Sequence, residues 1–169
     1  MEIELPYRYD PRAYQIGVWN HFPDDDAGRR KRGVVLAHRR WGKDLLALNL
    51  AVKLSQERVG TYWHVLPFAK QARAVVWNGK DKKGRSFRDY IPNSLVDHPH
   101  EQEMRIHFKN GSIYQCVGGD DIDRHVGTNP VGVIMSEWSI MDRRVDDYIS
   151  PILLENDGWS LKIFTIRGK

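Results

Sequence analysis

One short loop constrains the fold of this chain more than any other feature. Residues 33–37 (GVVLA) form an apolar, partly β-branched run with the pattern of a strand buried on both faces. They lead into residues 38–44 (HRRWGKD), after which leucines and alanines recur with helical spacing up to Gly60. A strand, a loop with a glycine and a helix, in that order, predict a phosphate-binding loop, because small residues allow backbone N–H groups to face phosphates.

The loop keeps the spacing of the P-loop pattern but departs from it at both ends. Ala37 replaces the first glycine, and Asp44 replaces the final serine or threonine. Gly42 and Lys43 remain, and the lysine is in the position that meets the outer phosphates. Because a Gly-Lys pair after a strand is in many proteins only a turn that enters a helix, the interpretation needs support from elsewhere in the chain.

That support comes from residues 131–137 (VGVIMSE), which have the form of a Walker B strand. Such a strand is buried and apolar, and its carboxyl end delivers an acidic side chain beside the P-loop. Glu137 is placed where a general base would orient and deprotonate the water that attacks a γ-phosphate. Taken alone, an acidic residue at a strand end is equally well explained as a solvated one. Its occurrence together with the loop favours the catalytic interpretation.

The usual residue types of two metal-binding positions are exchanged in this chain. Ser136 stands where the Walker B aspartate is usual, and Asp44 stands where the P-loop hydroxyl is usual. If both positions flank one Mg²⁺ site, that site still has one carboxylate and one hydroxyl. We therefore expect Asp44 to contact Mg²⁺, directly or through water, with Ser136 assisting. The alternative is that Asp44 only stabilises the N-terminus of the following helix.

The remaining pattern predicts an α/β domain with a mainly parallel central sheet flanked by helices. Residues 61–66, 131–135 and 161–165 read as strands, residues 12–21, 69–77 and 145–154 as helices, and residues 79–99 as an irregular segment. Residues 104–108 and 112–117 alternate around Asn110-Gly111, a dipeptide that favours tight turns. A β-hairpin is therefore expected in addition to the parallel strands.

Length, charge and cysteine content favour a single domain that is neither exported nor inserted into a membrane. The chain has 169 residues, the length of one domain, and a formal charge of +4. Its basic residues cluster at 29–32 and 80–88, which suits contact with a polyanion but also fits solvated loops. The single cysteine, Cys116, permits no internal disulfide and fits a reducing, cytosolic setting. Because no apolar run reaches membrane-spanning length and no signal-peptide pattern is present, we expect neither insertion nor export.

Four segments together resemble the ordered signature of large terminases, the DNA-packaging ATPases of tailed double-stranded DNA bacteriophages. They are PRAYQ (residues 11–15), HRRWGKD (38–44), VGGDDIDRHVGTNPVGVIMSEW (117–138) and FTIRGK (164–169). The resemblance implies a P-loop NTPase fold of the RecA/ASCE type over residues 1–169, with Mg²⁺-dependent ATP hydrolysis that powers the translocation of viral DNA into a procapsid. It also implies that Glu137 and Lys43 are catalytic.

The resemblance assigns nucleotide-binding roles to further residues. Arg12 and Gln15 match an arginine and a glutamine that hold adenine in that family, although Gln15 taken alone reads as a surface helix residue. The arginine that senses or stabilises the γ-phosphate matches Arg39, with Arg40 as the alternative, and a guanidinium suits this role because its fixed fork of donors fits phosphate oxygens. Either arginine can instead pair with an acidic neighbour. The implied contacts to nucleotide also include His38, Arg40, Trp41, Gly42, Lys43, Asp44 and Thr165.

Thr165 begins a segment that resembles the coupling motif of the family, which reports the γ-phosphate to moving parts. The segment is residues 165–168, and Ile166 stands where proline is frequent. The implied partners are double-stranded DNA, a portal protein, a small terminase subunit and further copies of the chain in a ring, all in the host cell cytoplasm. The nuclease domain of the family is not expected in this chain, and no nuclease activity is predicted.

Two other functions remain open at this stage. A helicase-like nucleic-acid translocase of the same superfamily is the first, because PRAYQ also resembles a helicase Q motif. The sequence SEWS at residues 136–139, in place of a DExx helicase box, speaks against it. The second is a nucleotide-binding or DNA-binding adaptor without turnover, against which the presence of Glu137 argues.

Overall fold

The computed structural model describes residues 4–22, 31–125 and 127–165, so residues 166–168 of the predicted coupling segment and residues 29–30 of the basic cluster lie outside the described residues. Its strands are β1 (Arg32–Leu36), β2 (Thr61–Leu66), β3 (Val96–His100), β4 (Arg105–Phe108), β5 (Ile113–Gly118), β6 (Pro130–Ser136) and β7 (Trp159–Phe164). Its helices are α1 (Ile16–Trp19), α2 (Lys43–Glu57), α3 (Ala69–Ala72), which continues as a π-helical turn over Arg73–Trp77, and α4 (Arg143–Glu155). None of the described helices is long and apolar enough to cross a bilayer.

The strands form one seven-stranded sheet in the order β1-β7-β6-β2-β5-β4-β3. Neighbouring strands from β1 to β5 in this order are parallel, and β4 and β3 extend the sheet with antiparallel pairing. The predicted α/β class with a mainly parallel sheet is therefore confirmed. Because β7 lies between β1 and β6, the loops after these three strands meet at one edge of the sheet, where parallel sheets bind their ligands.

The helices cover both faces of the sheet. Helix α2 contributes residues such as Leu46 and Leu50 to one apolar layer, which also contains Tyr62 and Leu66 of β2. Helix α4 contributes Val145, Ile149 and Leu153, spaced four residues apart, to a second layer. Because successive strand residues face opposite sides, β2 alternates between the two layers along its length. One core on each face thus fixes the sheet between the helices.

The N-terminal strand differs from its prediction. We expected the segment of residues 33–37 to be buried on both faces, but Val34 is 68% exposed and Leu36 is 55% exposed. The expectation was wrong because β1 is at the edge of the described sheet and pairs only with β7. Apolar, β-branched composition favours a strand, but it does not say on which side the strand has a neighbour.

The predicted hairpin is present, and a third strand accompanies it. Strands β4 and β5 pair antiparallel around the turn, in which Gly111 has a φ of +91°, the left-handed region that glycine tolerates best. Strand β3 lies in the segment that we read as irregular, and that reading was wrong there. Its sequence VDHPH has no apolar alternation, and Pro99 is tolerated because β3 is the outermost strand.

Candidate nucleotide site

The phosphate loop connects β1 to α2 and opens into a cavity. Helix α2 begins at Lys43, and its N-cap, Gly42, has a φ of +85°. The cavity has a volume of about 330 Å³. It is lined by His38, Arg39, Arg40, Trp41, Gly42, Lys43, Asp44, Leu45, Phe87, Glu137 and Thr165. All the predicted loop positions, together with Glu137 and Thr165, therefore border one space.

Lys43 joins three parts of this site. Its ammonium donates to a carboxylate oxygen of Glu137, and it lies 3.4 Å from the hydroxyl oxygen of Thr165. The side chains of Lys43 and Glu137 are only 14% and 16% exposed, so their ion pair is largely shielded from water. The structure thus brings together residues that follow β1, β6 and β7, three strands that are far apart in the sequence.

The backbone of Glu137 has an unusual conformation. Its φ of +56° and ψ of +37° place it in the left-handed region, at the start of a 3-10 turn over Trp138–Ile140. For a residue other than glycine this conformation is strained, and such strain persists only where the surroundings impose it. It directs the chain away from the sheet immediately after β6, at the position where sequence reasoning placed the general base.

Asp44 and Ser136, the two residues of exchanged type, are in direct contact. The hydroxyl of Ser136 donates a hydrogen bond to Oδ1 of Asp44 at 2.8 Å. Burial acts to raise the pKa of Asp44, but the His64 ring, the Ser136 hydroxyl and the charge of Lys43 lower it, and its pKa ends below the ordinary value. The carboxylate is therefore ionised at neutral pH.

The chemistry of these two side chains fits Mg²⁺ bound together with a nucleotide. Within residues 4–22, 31–125 and 127–165, no group of three or more histidine, cysteine or acidic residues could hold a metal ion without other help. Mg²⁺ is commonly held by one or two carboxylates, with phosphates and water as the other ligands. Asp44 and Ser136 supply that kind of partial set. Because Asp44 also lies in the first turn of α2, its alternative role beside the helix N-terminus stays open.

Arg12 and Gln15 lie against the backbone of the phosphate loop. The Gln15 amide donates to the carbonyl of Trp41 at 2.9 Å and accepts from the N–H of Arg12 at 3.0 Å. A guanidinium nitrogen of Arg12 lies 3.3 Å from the same carbonyl. Gln15 is only 2% exposed, so the interpretation as a surface residue was wrong. In this structure both ends of its amide hold the protein's own chain, and contact with adenine stays a prediction.

The loop residues with long polar side chains lie at the mouth of the cavity. His38, Arg39 and Arg40 are exposed, and Arg40 has a φ of +66°. Trp41 is buried and packs against Tyr14, with 5.4 Å between the ring centroids. The exposed arginines can approach a bound phosphate, and the choice between Arg39 and Arg40 stays open.

Sequence reasoning missed three residues of this site. Tyr14 supports the loop through Trp41, Phe87 reaches the cavity from a 3-10 turn over Phe87–Tyr90, and His64 lies 2.9 Å from the Ser136 hydroxyl. Tyr14 stands within the PRAYQ segment, which was a usable signal. His64 stood out only as the histidine of the buried strand TYWHVL. No feature of the sequence indicated that Phe87 reaches the site.

The sheet order, the loop and the residues at its rim define a P-loop NTPase fold. No protein-family model matches the sequence, and no curated protein matches it. Solved structures do match the fold of this chain. The large terminase ATPase domain of Thermus phage P74-26, as a mutant, is 21% identical with a TM-score of 0.68, and the match covers 95% of this chain and 67% of that one.

Two other matches extend the comparison. A large terminase from a thermophilic bacteriophage, in complex with ATP-γ-S, is 11% identical with a TM-score of 0.66 over 92% of this chain. This chain spans only 38% of that protein. The UvsW helicase of bacteriophage T4 is 11% identical with a TM-score of 0.62, covering 96% of this chain and 56% of the helicase. At these identities the similarity establishes the fold, which terminase ATPase domains and a helicase share.

Proposed function

We propose that this chain is the ATPase domain of a phage large terminase and that it hydrolyses ATP with Mg²⁺ to drive double-stranded DNA into a procapsid. The observation that carries the proposal is the meeting of Lys43, Glu137 and Thr165 at the rim of the phosphate-loop cavity. A lysine that binds phosphate and a residue that positions water are two of the parts that phosphoryl transfer to water uses. The Thr165 hydroxyl lies beside both.

In the proposed reaction the phosphates of ATP enter the cavity and meet the backbone N–H groups of the loop. Lys43 then moves from Glu137 to the outer phosphates, because a phosphate carries more negative charge than one carboxylate. This movement takes the ammonium away from the carboxylate of Glu137, which orients the attacking water and accepts its proton. The same movement changes the contact between Lys43 and Thr165, and Thr165 thereby senses whether a γ-phosphate is present.

The cation would be held by Asp44, with Ser136 beside it. When bound, Mg²⁺ neutralises part of the charge that develops on the phosphate oxygens. Arg39, or Arg40, would reach the transferring phosphate from the mouth of the cavity, and a guanidinium contributed by a neighbouring subunit would complete the site in a ring. A single chain is then expected to hydrolyse ATP slowly.

Turnover measurements test the enzymatic part of the proposal. We expect Lys43→Ala to weaken ATP binding and Glu137→Gln to slow phosphate release strongly, while Lys70→Ala and Glu155→Gln retain the wild-type rate because both residues are exposed and neither lines the phosphate-loop cavity. If Lys43→Ala and Glu137→Gln both turn over at the wild-type rate, the protein is not this ATPase. Tight ATP binding by the wild type without phosphate release would favour an adaptor.

A helicase-like translocase is the second candidate, because the fold is shared with the UvsW helicase. The two functions differ in what happens to the DNA. A packaging motor moves along an intact duplex, so double-stranded DNA should stimulate ATP hydrolysis without strand separation. Release of a labelled strand from a partial duplex, at a rate that depends on Glu137, would support the helicase instead.

A further inference from the structure

A line of buried polar groups crosses one face of the sheet towards the phosphate loop. The Tyr114 hydroxyl lies 2.9 Å from Nδ1 of His64, and Nε2 of His64 lies 2.9 Å from the Ser136 hydroxyl, which donates to Asp44. These residues come from β5, β2, β6 and α2 in turn. His64 and Ser136 are fully buried, and Tyr114 is 1% exposed. Buried polar groups of this kind need partners, and here each has them.

The chemistry of these groups decides which member of each hydrogen bond is the donor. The ionised carboxylate of Asp44 can only accept, so Ser136 uses its single proton to donate to Asp44. Ser136 must then accept from His64, which places a proton on Nε2. If the ring carries only this proton, Nδ1 of His64 accepts a hydrogen bond from the Tyr114 hydroxyl. The Cys116 thiol, 3.9 Å from the Tyr114 oxygen, donates into the same line.

We propose that His64 is a positioning residue for Asp44. It acts through Ser136 and, with its Nε2 3.7 Å from Oδ1 of Asp44, also directly, to hold the carboxylate in the orientation that binds the cation of a nucleotide complex. This inference rests on the function proposed above. His64 fixes the Ser136 hydroxyl by donating to its oxygen, and the fixed hydroxyl restrains one oxygen of Asp44. Groups that hydrogen-bond to metal ligands orient them in this way, and their loss typically lowers metal affinity or activity by about 10- to 100-fold.

The position of His64 within the sheet supports its proposed role in orienting Asp44. Strand β2 is central, and His64 lies in register with Cys116 on one side and Ile134 on the other. An apolar side chain in this place would need no hydrogen-bond partners, whereas a buried imidazole needs both of its nitrogens paired. His64 is on the same side of β2 as Tyr62 and Leu66, which belong to the layer covered by α2. It therefore points towards the helix that carries Asp44.

The decisive measurement is the affinity of each variant for ATP-γ-S, once with Mg²⁺ and once with EDTA. The quantity compared is the ratio of the affinity with Mg²⁺ to the affinity with EDTA, called the Mg²⁺ ratio. For His64→Leu we expect the ratio to fall by about 10-fold or more, while the affinity in EDTA changes little. His64→Gln keeps an N–H donor for Ser136 and should recover part of the ratio. Tyr114→Phe removes the far donor and should lower the ratio less than His64→Leu does.

Tyr62→Phe is the matched control. Tyr62 is as deeply buried as Tyr114 and lies in the same layer, but its hydroxyl donates to the carbonyls of Leu54 and Arg58, away from Asp44. We expect it to lower thermal stability without changing the Mg²⁺ ratio. A general loss of packing would lower the ratio in Tyr62→Phe and Tyr114→Phe alike, and that result would overturn the positioning role.

Nitrogen-15 NMR of the histidines tests the same inference without nucleotide. In the wild type we expect a proton on Nε2 of His64. A proton on Nδ1 alone would leave Nε2 unable to donate to Ser136 and would overturn the proposal, even if His64→Leu fails to fold. If the wild type binds no nucleotide, the proposed function fails. If it binds Mg²⁺ with ATP-γ-S and the ratio is unchanged in folded His64→Leu, only the role of His64 fails.

Discussion

The ammonium of Lys43 is in direct contact with the carboxylate of Glu137, although the two residues are 94 positions apart in the chain. The lysine begins α2, and the glutamate follows β6. Each is the charged partner that the other needs when no phosphate is present, because an ionised side chain that is mostly buried is costly without a counter-charge. Under the proposed function, bound ATP draws Lys43 to its phosphates and away from the carboxylate proposed to activate water.

Glu137→Gln should separate binding from hydrolysis. We expect ATP turnover to fall by about 100- to 10,000-fold, the usual contribution of a general base. ATP affinity should stay the same or rise, because glutamine competes less strongly than a carboxylate for the ammonium of Lys43. Phosphate release and equilibrium binding, measured on the same preparation, check both expectations. A variant that keeps its turnover would remove Glu137 from the reaction.

Asp44→Ala should reduce the benefit of Mg²⁺ for nucleotide binding. The variant removes the carboxylate proposed to contact the cation and leaves the Ser136 hydroxyl without its acceptor. We expect the affinity measured with Mg²⁺ to approach the affinity measured in EDTA. Asp146→Ala in α4 is the control, since its carboxylate pairs with Lys162 instead. An unchanged Mg²⁺ dependence in Asp44→Ala would leave the helix N-terminus as the only role of Asp44.

Gly42→Ala should weaken nucleotide binding in addition to lowering the free energy of unfolding. At Gly42 the φ is +85°, and an added Cβ would lie 3.3 Å from the amide nitrogen of Gln15. Gly84→Ala is the matched control, because Gly84 has a φ of +78° and nothing within 4 Å of an added Cβ. Both variants should lose about 1 kcal/mol of unfolding free energy through strain. Only Gly42→Ala should also lose ATP affinity, which calorimetric titration and thermal melts can compare.

The two exposed arginines of the loop can be distinguished by kinetics. Arg39→Ala should lower turnover by about 1,000-fold with little effect on ATP affinity, the behaviour of an arginine that stabilises the transferring phosphate. Arg40→Ala should have the smaller effect on turnover. The reverse order would assign the role to Arg40. Equal, small effects in both variants would point to an arginine supplied by another subunit, which mixing active and inactive chains would detect.

Local patterns predicted much of the fold. The loop at residues 38–44, the helix after it and the strands β2, β6 and β7 depend on spacing, propensity and apolar runs within about 20 residues. The hairpin follows from Asn110-Gly111 in the same way. These features were predictable because the physical causes of a turn or a buried strand lie in neighbouring residues.

Strand neighbours and buried polar contacts were not predictable in this way. The exposure of Val34 follows from the edge position of β1, and the burial of Gln15 follows from its contact with Trp41, 26 residues further along the chain. The partners of His64 come from other strands, because β5 and β6 place Tyr114 and Ser136 on either side of it. Local periodicity specifies which residues are apolar and how they repeat, whereas the partner of a buried polar atom depends on how distant segments pack. The chemistry around Lys43 and Asp44 was therefore visible as residue types in the sequence, and only the tertiary structure decided which of those residues touch.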